Sequence, residues 1–510
     1  MNKFKQKFTS FLTGRNFSSG LLVAIIVAAV VFVNIITYTL SNFLGLYLYS
    51  PEEPDFTISD TFEERFRAAA ESEGREVTVT FCMPEADVLQ HVTGNYVINT
   101  AYKFAEKYPE LIKLRFVNIY TKYDQSGNDV AEELERYQTD MLGYETPIKS
   151  TSVIFSSGSN YRVITDTYTS AGYATFYTLD SSLYMTSYNG EEIFAAMISW
   201  VITDEHDVAY FTVGHGESAS ANLQNLLICA GYYTDMINLR DPESTEKLKG
   251  ADLVVISNPI ADFERAAEGS SVITEYERLS EYIGGGGDLF VTVDPYMNKL
   301  TTLNSLLAEY GISVDRTDDD ALQIIRDSVN GITTDGFTFV ADFPSDGGDV
   351  SANIKSNIEK FGGRVILCDA APLLLSGNAK PLLISSASSV CESGGAVTDN
   401  GGSYPVAAYS TKMGSTGEDS KIFFIPSVYL AATDAMVTNG YANKDFLYSL
   451  FDELFEQGDM PYNCNSLIYD DQTLENLTMG TARLYTAVLI ALPVLILAVG
   501  AVVLIRRKNR

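Results

Sequence analysis

The chain has 510 residues, of which 46% are hydrophobic and 20% are charged, and its formal net charge at pH 7 is −31. This length accommodates two or three domains, and a field this negative repels nucleic acid, which excludes nucleic-acid binding. The five cysteines are scattered and odd in number, which does not suit a disulfide framework.

Two long apolar segments lie near the two ends of the chain. Residues 21–40 (LLVAIIVAAVVFVNIITYTL) and 485–505 contain no charged residue, and each segment is long enough to cross a bilayer as one helix. We therefore predict transmembrane helices at 21–44 and 484–505. Because no A-x-A cleavage site follows the first segment, a membrane anchor is favoured over the alternative of a cleaved signal peptide.

Charge predicts the orientation of both segments. Residues 1–20 and 506–510 contain four basic residues each and no acidic residue. By the positive-inside rule both ends lie in the cytoplasm, so the region between the spans lies outside the membrane. This region keeps 27 basic and all 66 acidic residues, which gives it a net charge near −39.

The first part of this region, residues 55–188, has an alternating α/β pattern. We predict strands at 76–81, 112–119, 151–155 and 161–165, and helices at 92–107 and 129–139. This order matches a thioredoxin-like domain. After the first strand, F-C-M-P-E places Cys82 and Pro84 where a thioredoxin site has its first cysteine and its proline, but Glu85 replaces the second cysteine. Since disulfide exchange needs a resolving thiol, we expect Cys82 to be a packing residue.

The second part, residues 189–460, has the clearest alternation of strands and helices. We predict strands at 208–213, 232–239, 251–256, 288–293, 364–368, 381–385, 406–410 and 422–426, and helices at 189–203, 218–231, 273–283, 300–310 and 443–455. Nearly unbroken apolar strands between helices indicate a mostly parallel α/β sheet covered on both faces, of flavodoxin or amidotransferase type. We expect mobile loops at 390–403 and 411–420, and a linker at 461–483.

Polar residues follow three of the predicted strands. His215 and Glu217 lie in a G-H-G-E turn, Asn258 in S-N-P, and Asp294 in D-P. Because pockets of parallel sheets lie at the carboxyl ends of strands, we predict that these four residues line a pocket for a glycan or a small molecule. The turn also has a purely structural explanation, in which the glycines permit a sharp bend and Glu217 stabilises the start of the next helix.

Catalytic motifs are incomplete in this sequence. A zinc site needs three or four converging ligands, and His215 and Glu217, with Asp294 as a third, supply a minimal set. No cysteine lies in a nucleophile elbow, no G-x-S-x-G is present, and no Walker sequence is present. We therefore predict no catalytic residue, no metal and no cofactor.

Several motifs, taken in their order along the chain, resemble the Gldg family of auxiliary proteins of ABC-type transport systems. The matching segments are A-Y-F-T-V-G-H-G-E at 209–217, A-D-L-V-V-I-S-N-P at 251–259, L-S-E-Y-I-G-G-G-G-D-L-F-V-T-V-D-P at 279–295, L-N-S-L-L-A-E-Y-G-I at 303–312, P-L-L-I-S-S-A-S-S at 381–389, Y-P-V-A-A at 404–408 and Y-A-N-K-D-F at 441–446. The resemblance implies an extracytoplasmic accessory subunit beside an ABC permease and its cytoplasmic ATPase. Together with the incomplete catalytic motifs, this leads us to predict a non-catalytic subunit that presents a recognition or ligand-binding surface.

Two alternatives remain open at the level of sequence. One is a membrane-anchored enzyme of the cell envelope, with or without a metal, that uses His215 and Glu217. The other is a surface protein with no transporter partner.

Overall fold

A computed structural model describes most of the chain between residues 56 and 468. The described ranges are 56–71, 75–124, 126–139, 145–167, 170–179, 185–218, 221–296, 299–361, 363–432, 435–436, 441–458, 460–461, 464 and 466–468. The predicted spans at 21–44 and 484–505 and the predicted cytoplasmic ends lie outside these ranges, as does most of the predicted linker at 461–483. None of the helices within the described ranges combines the length and the apolar character that crossing a bilayer requires.

The first part of the chain folds around a four-stranded sheet. Its helices are α1 (Glu63–Glu71), α2 (Glu85–Gln90), α3 (Gly94–Lys107), α4 (Val130–Leu134) and α5 (Gly190–Val201), and its strands are β1 (Val77–Phe81), β2 (Ile112–Phe116), β3 (Val153–Ser157), β4 (Asn160–Ile164), β5 (Asp166–Thr167), β6 (Ser170–Ala171), β7 (Tyr177–Leu179) and β8 (Met185–Tyr188). The sheet has the order β2-β1-β3-β4. Strands β1 and β2 are parallel, and β3 is antiparallel to both β1 and β4.

Helices α3 and α5 bury the core of this part. Phe194 on α5 lies at its centre, with ring centroids 5.6 Å from Phe104 on α3 and 5.1 Å from Phe155 on β3. The segment 189–203, which we grouped with the second part of the sequence, therefore packs on the first sheet. The change from the first sheet to the second follows Val201.

A seven-stranded sheet forms the second part. The helices of the second part are α6 (Ala221–Cys229), α7 (Ser244–Leu248), α8 (Glu275–Gly284), α9 (Thr301–Ala308), α10 (Gly348–Phe361) and α11 (Asn443–Glu453), and the strands of the second part are β9 (Val208–Thr212), β10 (Tyr233–Ile237), β11 (Leu253–Ser257), β12 (Asp288–Thr292), β13 (Ile312–Val314), β14 (Ile324–Arg326), β15 (Thr338–Val340), β16 (Ile366–Cys368), β17 (Leu373–Leu375), β18 (Lys380–Ile384), β19 (Ser389–Ser393), β20 (Ala396–Gly402), β21 (Pro405–Met413) and β22 (Asp419–Ile425). The last strand, β23 (Leu467–Ile468), pairs antiparallel with β8 of the first part.

The order of this sheet is β10-β9-β11-β12-β22-β21-β18. The first five strands are parallel, and at one edge β21 pairs antiparallel with both β22 and β18. In chain order the parallel strands follow the 2-1-3-4-5 arrangement of doubly wound sheets, whose topological switch point lies between the first and third strands. Here the switch point lies between β9 and β11.

Both faces of the large sheet are covered by helices. Leu227 on α6, Ile354 on α10 and Phe446 on α11 are buried on one face. Leu279 on α8 and Leu306 on α9 are buried on the other. The predicted mixed α/β fold with a parallel sheet is confirmed.

The prediction of mobile loops at 390–403 and 411–420 is wrong. Residues 389–402 form the antiparallel hairpin of β19 and β20, and β21 and β22 leave only 414–418 as their connection. Gly394 and Gly395 have φ of 58° and 80°, as a two-residue hairpin turn of type I′ requires. The buried positions of β19 are filled by Ser389 and Cys391 instead of large apolar residues.

Candidate functional site

The residues that we predicted to form a pocket come from three neighbouring loops. Strands β9, β11 and β12 are adjacent and parallel, so the segments that follow them leave the sheet at the same edge. His215 and Glu217 follow β9, Asn258 follows β11 directly, and Asp294 follows β12. The His215 turn lies at the switch point of the sheet.

The backbone around His215 is a tight and well-bonded turn. Gly214 and Gly216 have φ of 115° and 74°, a region that glycine enters at low cost. The carbonyl oxygen of His215 accepts hydrogen bonds from the N–H groups of Ile260 and Ala261, each at 2.9 Å. These bonds join the turn after β9 to the loop after β11.

Glu217 folds back onto His215. Its Oε2 accepts a hydrogen bond from the His215 backbone N–H at 2.7 Å, and its Oε1 lies 3.0 Å from His215 Nδ1. The carboxylate therefore orients both the backbone and the ring of the histidine.

A second carboxylate, which the sequence analysis did not identify, holds the other side of the ring. Glu275 Oε1 lies 2.9 Å from His215 Nε2 and 3.0 Å from Arg240 Nε. Its Oε2 accepts the backbone N–H of Glu264 at 2.7 Å. His215 and Glu275 are each 1% exposed, so the contact is buried. Glu275 occupies the first turn of α8, where an acidic side chain suits the helix dipole, and that position was the available signal.

These contacts favour a protonated imidazole. Burial opposes charge on the ring, but hydrogen bonds to Glu217 and Glu275 outweigh it and raise the pKa of His215. Burial likewise opposes charge on Glu217, yet its hydrogen bond with His215 lowers the pKa of that carboxyl. With His215 protonated, two carboxylates face one imidazolium and one guanidinium, so the cluster is neutral overall.

The two pKa shifts give the cluster a defined pH window. The raised pKa of His215 contributes stability that is complete below its ordinary value of 6.5 and is lost as pH rises through the folded-state value. The lowered pKa of Glu217 contributes stability that is complete above 4.5 and is lost as pH falls through the folded-state value. Both contributions are therefore complete between these two ordinary values.

This geometry does not suit catalysis or metal binding at His215. A general base or a metal ligand needs a free ring lone pair, and both ring nitrogens already face carboxylate oxygens. The two carboxylates lie at opposite edges of the ring, so the three side chains do not converge on one point. Within the described ranges, no group of three or more His, Cys, Asp or Glu side chains has an arrangement that could hold a metal ion.

Asn258 and Asp294 make hydrogen bonds separate from the His215 cluster. Asn258 has a φ of 51°, and its N–H donates to the carbonyl of Thr292 at 2.8 Å. Its side-chain Oδ1 is buried and has no hydrogen-bond partner among the described residues. Asp294 Oδ1 accepts the backbone N–H of Tyr296 at 2.9 Å, which closes a short turn. The shared pocket stays a prediction, because hydrogen bonds join only His215 and Glu217 of the four.

Cys82 is buried directly after β1, as a packing residue would be. Its N–H donates to the Ser152 carbonyl at 3.2 Å. Burial raises the pKa of the Cys82 thiol to about 12, so the nucleophilic thiolate is disfavoured. Glu85, at the position of a second thioredoxin cysteine, accepts a hydrogen bond from the Tyr102 hydroxyl at 2.5 Å.

Comparison with known proteins gives partial structural similarities. No family model matches the chain. No curated protein matches it. Among solved structures, the mmIFT52 N-terminal domain matches with 20% identity, 48% coverage of this chain, 96% coverage of that chain and a TM-score of 0.34.

Two further solved structures match about half of the chain. A ThuA-like protein from Bacteroides uniformis has 12% identity, covers 48% of this chain with 89% of its own, and gives a TM-score of 0.27. PurLQS from Thermotoga maritima has 11% identity, covers 49% of this chain with 99% of its own, and gives a TM-score of 0.27. At TM-scores below 0.5, these similarities carry no argument about function.

Proposed function

We propose that this protein is a non-catalytic, extracytoplasmic auxiliary subunit of an ABC-type transport system, of the Gldg family. Spans at 21–44 and 484–505 anchor it, and the region between them presents a recognition surface beside a permease. The ATPase that drives transport lies on the cytoplasmic side of the membrane. A glycan or small molecule is the ligand class of that surface.

The closed cluster around His215 is the observation that carries the non-catalytic role. In a doubly wound sheet, the switch point is where a ligand crevice is expected. Here the histidine at that point is buried, and both of its ring nitrogens are bonded to carboxylates. The alternative of an envelope enzyme that uses His215 and Glu217 would require this cluster to open first.

Support for the location comes from the distribution of charge. Every acidic residue lies between two uncharged apolar segments whose outer flanks are basic. Support for the transporter partner comes from the ordered Gldg-like motifs over residues 209–446. Since no Walker sequence is present, ATP hydrolysis belongs to a partner chain.

We also propose a thioredoxin-like first domain and a second domain of flavodoxin or amidotransferase type. The β-α-β-α-β-β order of the first part, followed by α5, supports a thioredoxin-like domain. The 2-1-3-4-5 order of the five parallel strands supports a flavodoxin-type or amidotransferase-type second domain.

Co-purification tests the proposal. The full chain, tagged at its cytoplasmic C-terminus, is isolated in mild detergent from native membranes, and the proteins that accompany it are identified by mass spectrometry. We expect a Walker-motif ATPase and a multi-span permease in amounts comparable to the tagged chain. An unrelated two-span protein with the same tag is the control. Recovery of the chain without either partner would overturn the transporter assignment.

A further inference from the structure

A cleft lies at the edge of the first sheet, away from the His215 cluster. It has a volume of about 400 Å³ and is lined by the segments that follow β1 and β2, together with α2 and residues around Ser150. Because β1 and β2 are parallel neighbours, their carboxyl ends open at the same edge. A volume of this size falls in the range of small-molecule sites.

The cleft offers polar groups that the described part of the chain leaves unbonded. The side chains of Asp87, Gln90 and Ser150 line it; Asp87 and Gln90 are exposed, Ser150 is half-buried, and none of the three makes a hydrogen bond with the described residues. Asn118 accepts the Tyr120 N–H with its Oδ1 at 3.0 Å, which leaves its NH₂ group to donate. The lining therefore contains both donors and acceptors, spaced around one cavity.

The inner wall of the cleft adds one more donor. The backbone N–H of Gly94 donates to His91 Nδ1 at 3.2 Å, so a neutral His91 ring carries its hydrogen on Nε2. The ring packs edge-on against Tyr173 with centroids 5.2 Å apart. Tyr173 is fully buried, and its hydroxyl has no hydrogen-bond partner among the described residues. Tyr173 lies behind His91 and does not itself line the cleft.

Charge and shape narrow the class of ligand. Asp87 is the charged group among the described lining residues, which include no lysine or arginine, so the cleft does not suit a phosphate or a carboxylate. Tyr120 lies at the mouth with 81% of its surface exposed and offers a flat aromatic face. A sugar ring has C–H groups on its face, which pack on an aromatic ring, and hydroxyls at its edge, which both donate and accept hydrogen bonds.

We propose that this cleft binds a neutral saccharide, with one sugar ring stacked on Tyr120 and its hydroxyls bonded to Asp87, Gln90 and Asn118. The inference depends on the cleft alone and is independent of the transporter assignment. It differs from the pocket predicted at the large sheet, since the two sites lie on different sheets.

Ligand-observed saturation-transfer NMR on the full chain tests the inference, in a detergent whose headgroup is not a sugar. The probes are glucose, N-acetylglucosamine, cellobiose and chitobiose, each at up to about 10 mM, which detects millimolar dissociation constants. We expect at least one probe to bind, and Tyr120→Ala to weaken that binding by about tenfold or more. Because Tyr120 is so exposed, its replacement leaves the fold intact.

Tyr123→Ala is the matched control. Tyr123 lies in the same loop and is 55% exposed, but it does not line the cleft. We expect this variant to bind the probe as the unsubstituted chain does. The inference is overturned if none of the four probes binds, or if Tyr120→Ala binds as tightly as Tyr123→Ala.

Discussion

At the scale of single residues, the protonated His215 ring connects neighbouring segments of the chain through hydrogen bonds to two carboxylates. It links the turn after β9 to the first turn of α8 through Glu275, and Arg240 balances the second carboxylate. Removing one partner from a buried charged cluster of this kind costs about 3–5 kcal/mol, because the remaining charge is left uncompensated. The residue thus stabilises the very edge of the sheet where a ligand site would be expected.

The titration of His215 measures this arrangement directly. The chain contains three histidines, so ¹³C-histidine labelling of the full chain gives few signals. We expect His215 to titrate above 6.5, and His206 near 4, since burial and the nearby Arg162 lower the pKa of His206. Glu275→Gln removes one carboxylate partner, whose hydrogen bond favours the protonated ring, and should lower the pKa of His215.

Asp294→Asn is the control for this titration. Asp294 accepts a backbone N–H from Tyr296, and an asparagine keeps that acceptor oxygen. The pKa of His215 should therefore remain where it is in the unsubstituted chain. If Glu275→Gln left the pKa of His215 unchanged, that result would contradict the claim that Glu275 stabilises the protonated ring.

Sequence alone identified the local half of the cluster and missed the distant half. His215 and Glu217 are two positions apart, and adjacency makes their contact predictable. Glu275 is 60 positions from His215, and only the pairing of β9 with β11 brings α8 to the turn. The ends of the predicted strands placed Asn258 and Asp294 at this edge of the sheet. Their hydrogen bonds, from the Asn258 N–H to the Thr292 carbonyl and from the Tyr296 N–H to Asp294 Oδ1, are not predicted by any periodicity of the sequence.

At the scale of elements, prediction succeeded where burial makes the sequence strongly apolar. Strands such as β11 and β12 are buried on both faces and are easily recognised. The hairpin of β19 and β20 was missed because serine and cysteine fill its buried positions. Helix α10 was also missed because its segment is mostly polar. Among its described side chains, Ile354 and Ile358 are the buried apolar ones.

Two glycines beside the large sheet give opposite predictions. Gly311 has a φ of 81°, and an added Cβ would lie 2.0 Å from the Ser376 carbonyl oxygen. We expect Gly311→Ala to lower the free energy of unfolding by at least about 1–2 kcal/mol, from the left-handed backbone alone. Urea unfolding of the full chain in detergent, followed by circular dichroism, measures this change.

Gly284→Ala is the matched control at the end of α8. No atom lies within 4 Å of the added Cβ, and the glycine is the last helical residue, with a φ outside the left-handed region, so the higher helix propensity of alanine applies. We expect an unchanged or higher free energy of unfolding, by up to about 1 kcal/mol. Equal effects of the two substitutions would contradict the described backbone at Gly311.

At the scale of the whole molecule, the two sheets belong to one compact unit that begins at Phe56. A buried contact joins them, in which Glu192 on α5 accepts hydrogen bonds from Lys444 Nζ at 2.6 Å and from the Tyr448 hydroxyl at 2.5 Å, both on α11. Because Glu192 and Tyr448 are buried, with 7% and 1% of their surfaces exposed, this contact favours a fixed arrangement of the two parts. The cleft and the edge of the large sheet therefore lie on the same compact unit.

The acidic region between two apolar segments with basic outer flanks predicts one topology, with both termini in the cytoplasm and the region between the segments outside. Protease accessibility in cells that carry the full chain, with a tag at each terminus and the outer layers removed, tests that claim most directly. We predict that protease added to intact cells degrades the region between the spans while both tags stay protected, with a cytoplasmic protein as the control for membrane integrity. Cleavage of that region only after lysis would contradict an extracytoplasmic role.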